Sequence, residues 1–257
     1  NNTARKAVMK AMLKNIDAQT LFIIHSGDLV DHGKKQYQWD RWFTTMEPLI
    51  QKLPLMPALG NHERNAVSYF NQFNLPGNER WYSFTVNNAL IIVLDSCKPF
   101  IKDKNQLDWI DKTLKKARKN KSIKWIFATF HHPPYSTGGH GSSTLSQKYF
   151  VPLLDTYNVD IVFNGHDHSY ERTFPMKKNK VADKNKNTYI NPKGTIYIIT
   201  GGAGAPLYGF KTNKTFSAKR RSFYHYCKVY IKNNNILTVS VFDKDNKLYD
   251  RISIKKN

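Results

Sequence analysis

Apolar positions along the chain follow two different spacings. Val8, Met12 and Leu13 fall on one face at helical spacing within residues 4–15, and Trp39, Trp42, Phe43 and Met46 do the same within 35–46, so both segments are predicted helices. A basic amphipathic helix is predicted over 105–119 and a further helix over 144–157. Short apolar runs at 21–25, 55–59, 123–130, 159–163 and 195–200 have the length of buried strands. Residues 81–86 and 90–95 read as a hairpin, because Asn87-Asn88 between them is a turn signal. From residue 224 onward apolar and polar residues alternate at 224–231, 236–242 and 248–254, which predicts an antiparallel set. Residues 177–193 carry Lys177, Lys178, Lys180, Lys184, Lys186 and Lys193 against Asp183 and read as a solvated loop. Alternating strands and helices followed by an all-strand end predict an α/β fold. No linker-like stretch divides the chain, so one domain over 1–257 is expected.

Composition narrows the picture only in part. The 40 Lys and Arg against 19 Asp and Glu give 40 − 19 = +21, which favours an anionic partner such as phosphate, nucleic acid or an acidic membrane surface. The joint abundance of Lys and Asn reads equally well as compositional bias. Cys97 and Cys227 are too few for a disulfide framework and read as small half-buried thiols. No apolar run approaches the roughly 20 residues of a membrane span. No signal-like segment opens the chain, which starts at Asn1 and not at Met.

The polar clusters share one placement: each follows the C-terminal end of a predicted strand. They are Gly27-Asp28, Gly60-Asn61-His62-Glu63, His131-His132-Pro133 and Gly165-His166-Asp167-His168. In α/β sheets ligands gather at such ends. A carboxylate, an amide and several imidazoles suit first-row divalent metals, and the lack of thiolate argues against a structural zinc site.

In this order the motifs resemble the calcineurin-like metallophosphoesterases, whose signature runs Asp-x-His or Asp-x-Gly, Gly-Asp, Gly-Asn-His-Asp/Glu, His and Gly-His-x-His. The segments Gly165–Arg172 and Gly194–Gly202 are similar to the purple-acid-phosphatase-like branch. The resemblance implies a four-layer αββα sandwich of two mixed β-sheets flanked by helices, holding two divalent metal ions (Mn, Fe or Zn). It implies that Asp28 bridges the metals, that Asn61, His131 and His166 complete the second, and that His168 binds the first. His62 becomes the proton donor to the substrate. The family's first ligand, an Asp on an opening strand, has no counterpart, so a strand carrying Asp-x-Gly or Asp-x-His is expected upstream of Asn1. Asp31 stands where the purple branch has Tyr, so no tyrosinate–iron colour is expected. Asp31 and His32 read as polar loop residues, with support of the first metal as the alternative.

Other residues receive lesser roles. His140, in a Gly-rich loop, is read as a substrate-phosphate contact, against the alternative of an exposed loop imidazole. His132 is a candidate support for the ligands, and His25 and His225 are structural. Glu171 and Arg172 are expected to brace the Gly-His-x-His loop as an ion pair. Tyr135 is expected to be a packed aromatic, with a pocket-lining role as the alternative.

The implied activity is metal-dependent hydrolysis of phosphate esters by a metal-bound hydroxide, with His62 as acid because histidine titrates near neutrality. A small-molecule monoester, as for an acid phosphatase, is the favoured substrate. The alternatives are a phosphodiesterase or nuclease on the same site, and a non-catalytic binding domain with an incomplete metal centre. Lysine-rich stretches without aromatic interleaving make nucleic acid the lesser partner. An extracytoplasmic location, secreted or periplasmic, is expected from the branch.

Overall fold

The computed structural model describes residues 2–185 and 187–257; Asn1 and Lys186 lie outside the described residues. Helix α1 (Asn2–Asn15) leads into strand β1 (Ile23–His25), helix α2 (Gln36–Ile50), strand β2 (Leu55–Pro57), a 3₁₀ turn at Asn61–Glu63 and helix α3 (Val67–Gln72). The hairpin β3 (Tyr82–Val86) and β4 (Ala89–Val93) follows, then α4 (Lys104–Lys119), β5 (Trp125–Thr129), α5 (Thr144–Tyr149), α6 (Val151–Thr156) and β6 (Ile161–Asn164). The second half runs β7 (Tyr170–Thr173), β8 (Met176–Lys177), β9 (Lys180–Val181), β10 (Thr188–Ile190), β11 (Ile196–Thr200) and β12 (Ser217–Arg221). It closes on β13 (His225–Lys232), β14 (Ile236–Asp243) and β15 (Leu248–Lys255).

Seven strands form the large mixed sheet in the order β12-β7-β11-β6-β5-β4-β3, with β4, β5, β6 and β11 mutually parallel. Four form the second sheet, β10-β15-β14-β13, and β1 pairs in parallel with β2. Strand β4 shows why the central runs are continuously apolar. Ala89, Ile91 and Val93 enter the core shared with the second sheet, while Leu90 and Ile92 face the core under the helices. A strand covered on both faces needs apolar residues at every position. On one side Ile110 and Leu114 of α4 and Leu154 of α6 pack on Ile92, Ile126 and Val162. On the other, Ile91, Phe127 and Ile198 share a core with Val239, Val241 and Ile252. Val8 and Ala11 of α1 then cover Tyr226 on the far face of β13. The layers are helices, sheet, sheet, helix, as the motif resemblance implies.

Three expectations change. The 144–157 helix is two helices broken at Phe150, because Pro152 lacks an N–H and starts the second as a first-turn proline. The 177–193 loop contains β9 and β10 and the end of β8; its described lysines are solvated or half-buried, but Tyr189 is fully buried and β10 extends the second sheet beside β15. Only one residue in that strand points inward, too few to show a period of two. Strands β7 and β12 carried no strand signal either, since β7 is Tyr-Glu-Arg-Thr and β12 is a basic edge strand. Basic residues are a common device for keeping an edge from pairing further.

Candidate metal centre

The four polar clusters emerge from the C-terminal ends of β1, β2, β5 and β6. Two glycines let the first two loops touch. Gly27 has φ +93°, and a Cβ there would lie 2.7 Å from the Gly60 nitrogen; a Cβ on Gly60 would lie 2.2 Å from Asp28 Oδ1. Neither position tolerates a side chain. Asp28 and His166 themselves have left-handed backbone, φ 56° and 67°. Such strain in residues with a Cβ persists where surrounding contacts over-determine it, and it clusters at functional sites.

Glu63 supplies the restraint. Its fully buried carboxylate accepts N–H bonds from Asp28 (2.9 Å), Leu29 (2.7 Å) and Gly60 (2.6 Å), tying the loops after β1 and β2 together. Burial pushes its carboxyl up to about 7, with the Asp28 charge adding to the rise. Glu63→Gln leaves one oxygen for three donors and sets an NH₂ against a backbone N–H. It should cost about 1–3 kcal/mol, the usual penalty for an unmet buried donor. Urea unfolding of the metal-free protein measures this, and an unchanged midpoint would remove the role from Glu63.

Asp28, His131 and His166 form a chain of contacts. Asp28 Oδ2 lies 2.9 Å from His131 Nε2, which lies 3.1 Å from His166 Nδ1. The His131 ring donates its Nδ1–H to the Ser26 carbonyl at 2.8 Å, which directs Nε2 into the cluster. Burial raises Asp28, but the His131 charge and hydrogen bond outweigh it and leave the carboxyl below its usual range. Burial lowers His131, and the facing Asp28 carboxylate reverses that to a net rise. Burial and the neighbouring rings push His166 down to about 2. A carboxylate and two ring nitrogens linked in this way are donor types of a divalent first-row metal, so these residues fit such an ion.

Asn61 is exposed at the start of the 3₁₀ turn. The next residue, His62, donates its backbone N–H to Asp28 Oδ1 at 2.9 Å and its ring Nδ1–H to the Asp31 carbonyl at 2.8 Å. The Nε2 of His62 is left as the outward nitrogen. Asp31 therefore acts through its carbonyl, and His32 donates its N–H to Gln38 Oε1.

His168 has a separate mooring. Its Nδ1–H donates to the Pro206 carbonyl at 2.7 Å, and its ring stacks on Tyr208 with centroids 4.1 Å apart. Tyr208 Oη sits 3.3 Å from His168 Nε2 and 3.4 Å from His140 Nε2. The exposed His140 also lies over His166, centroids 4.2 Å apart. A continuous run of rings thus joins His168, Tyr208, His140 and His166.

Glu171 and Arg172 do not pair with each other. Neighbours on a strand point to opposite faces. Glu171 accepts from Thr137 N (2.7 Å) and Oγ1 (2.8 Å), while Arg172 bonds Asp250 across the sheets at 2.8 Å. Tyr135 is packed on Tyr197 and Phe216 and buried. His225 is fully buried and His25 half-buried, and burial pushes both down to about 4, in keeping with structural roles. Cys97 and Cys227 are free thiols, half-buried as expected.

Three contributors went unread in the sequence. Glu63 is one. Asp167, the variable residue of Gly-His-x-His, accepts from Ser136 Oγ (2.5 Å) and His140 N (2.8 Å) and so places the His140 loop. Tyr208 is the third. The first two lay inside recognised motifs, where a carboxylate with no assigned role was the available signal; Tyr208 had none.

Residues 3–170 match the calcineurin-like phosphoesterase family, and residues 194–251 match the iron/zinc purple acid phosphatase-like protein C family. Such proteins use dinuclear iron, zinc or manganese centres. The chain is 31% identical to acid phosphatase type 7 of Mus musculus over 90% of its own length and 60% of that protein's. It is 30% identical to probable inactive purple acid phosphatase 27 of Arabidopsis thaliana over 79% of its own length and 37% of that protein's. The structure of the purple acid phosphatase PPD1 from Lupinus luteus seeds superimposes with TM-score 0.89 at 26% identity, covering 100% of this chain and 49% of that one. The chain spans less than two thirds of the length of each of these relatives. Architecture, strand-end motifs and matched residues together show that the chain belongs to the calcineurin-like phosphoesterase family.

Proposed function

We propose that this chain is the hydrolytic unit of a metal-dependent phosphate monoesterase of the acid-phosphatase kind. The observation that carries the reading is the chain of contacts from Asp28 Oδ2 through His131 Nε2 to His166 Nδ1, at 2.9 and 3.1 Å. Asp28, Asn61, His131 and His166 would hold one ion, with Asp28 and His168 facing the other. Two bound divalent ions supply Lewis acidity and an activated water for in-line displacement. The protein's own groups do the rest. Glu63 fixes the spacing of the two loops, and the Asp31 carbonyl holds His62 with Nε2 free to deliver a proton to the leaving alkoxide. His140 and Tyr208 close the opposite side, where their polar ends meet a phosphate oxygen. A small phosphate ester is the substrate, and an exported location fits the branch. Among the described residues no helix is long and apolar enough to cross a membrane.

The test is hydrolysis of p-nitrophenyl phosphate against bis(p-nitrophenyl) phosphate with Mn²⁺ or Zn²⁺ added. Faster turnover of the monoester supports the reading; preference for the bis-ester moves the site to diesters. His62→Ala should keep metal content and lose rate on the order of 10²-fold on an alkyl phosphate, within the usual range for a general acid. The loss should shrink on p-nitrophenyl phosphate, whose leaving group needs little protonation. Equal losses on both esters would remove the acid role.

A non-catalytic reading draws on the relative named a probable inactive purple acid phosphatase. Metal binding without hydrolysis of either ester would favour it.

A further inference from the structure

Four imidazoles around the centre are moored at Nδ1: His131 to the Ser26 carbonyl, His168 to the Pro206 carbonyl, His62 to the Asp31 carbonyl and His132 to Ser96 Oγ. In metal sites a ligating histidine usually spends its second nitrogen in this way, which fixes tautomer and ring orientation. Three of these rings already have a role. His132 does not, yet its mooring is the more deliberate one. Ser96, directly after β4 and Leu94–Asp95, is buried, and its Oγ accepts the His132 backbone N–H at 2.9 Å while meeting Nδ1 at 2.9 Å. The hydroxyl oxygen has lone pairs for both donors. That leaves Nε2 as the ring nitrogen outside this bond.

The position of the ring agrees. A ligand nitrogen of His132 lies within 4.8 Å of those of His131 and His166, and these three form a potential metal-holding group. The His132 ring is 4.5 Å from that of His166 and 5.0 Å from that of His131, centroid to centroid.

We propose that His132 is a third imidazole ligand of the ion held by His131 and His166, with Ser96 as its positioning residue. The proposal rests on the dinuclear reading above but is tested without hydrolysis. Beside Asp28 and Asn61, three imidazoles make this ligand set richer in nitrogen than two would. It should therefore prefer Co²⁺ or Zn²⁺ to Mn²⁺ beyond the ordinary affinity order.

The experiment is Co²⁺ loading of the whole protein, followed by equilibrium dialysis, visible absorption and proton NMR of the paramagnetically shifted ring N–H signals. His132→Ala should weaken one of the two ions by more than about 10-fold, alter the d–d bands and remove one shifted ring N–H. Ser96→Ala should act in the same direction with about a 10-fold loss, the lower end of what an outer partner contributes. Added imidazole should restore part of the His132→Ala loss. Circular dichroism of the metal-free variants separates these effects from misfolding. A folded His132→Ala protein with wild-type Co²⁺ affinity, spectrum and number of shifted signals would overturn the assignment, whether or not the protein hydrolyses phosphate esters.

Discussion

Asp28→Asn should strip the protein of one or both metal ions and take phosphatase activity to background, while the fold survives. The Asp28 carboxylate lies 2.9 Å from His131 Nε2, so it supplies negative charge that a divalent ion there would require. Asn keeps the shape, including an oxygen to accept the His62 N–H that now reaches Asp28 Oδ1. It loses the charge and sets an NH₂ near a ring nitrogen. The loss should exceed the roughly 10–100-fold that removal of an outer-shell partner costs. Removing the metals from the wild-type protein with a chelator should give the same inactive state, reversible on adding Zn²⁺ or Mn²⁺. Metal content by elemental analysis and hydrolysis of p-nitrophenyl phosphate measure both halves. A variant that keeps two ions per chain and loses only rate would move Asp28 out of the ligand set.

The pH dependence of metal binding follows from the same pair. In the metal-free protein His131 is raised by Asp28 and Asp28 is lowered by His131, so they share a proton that an ion must displace. Uptake should weaken as pH falls through the raised His131 value, with about one proton released per ion bound at that end of the range.

Much of the fold was legible because the central strands are covered on both faces. Ala89–Val93 and Trp125–Thr129 read as unbroken apolar or β-branched runs, which is what two packed faces demand. The Asn87-Asn88 turn was also readable, and Asn87 takes the left-handed conformation such turns require. The strand-end clusters were legible for a similar reason: charged and imidazole side chains directly after apolar runs leave little else for the chain to do with them. Strand β7 was not legible. All four of its residues are buried, but two are Glu and Arg, and nothing local reveals partners at Thr137 and Asp250. Tyr208 was hidden in the same way, since its stacking on His168 spans forty residues of chain through Pro206. Glu63 lies within a motif whose imidazole and amide already account for metal-type chemistry. Its role depends on three backbone N–H groups that a sequence does not display.

The partners of β7 set the second large effect. Asp250→Ala should destabilise the protein by about 3–5 kcal/mol, the range for breaking a buried ion pair from one side. Arg172 Nε and Tyr170 Oη both donate to Asp250 Oδ2 at 2.8 Å, and Lys219 Nζ approaches Oδ1 at 3.4 Å. The Arg172 and Asp250 side chains are 1% and 2% exposed. The contact joins β7 of the large sheet to β15 of the second, so alanine leaves a buried guanidinium without its anion exactly where the layers meet. Burial raises the Asp250 carboxyl, but Arg172, Tyr170 and Lys219 outweigh it and hold the group below the usual carboxylate range. A carboxylate lowered on folding adds stability above its unfolded value of about 3.9 and loses it as pH falls through the folded value. Wild type should therefore shed part of its stability below about pH 4, and Asp250→Ala should show a flatter profile there. Replacing both partners, Arg172→Met with Asp250→Leu, should cost less than the sum of the two single changes, because no buried charge remains unmatched. Urea unfolding of the wild type, Asp250→Ala, the two single variants and the double variant from pH 7 to pH 3 checks each step, and strict additivity would mean that Arg172 and Asp250 do not stabilise the sheets as a pair.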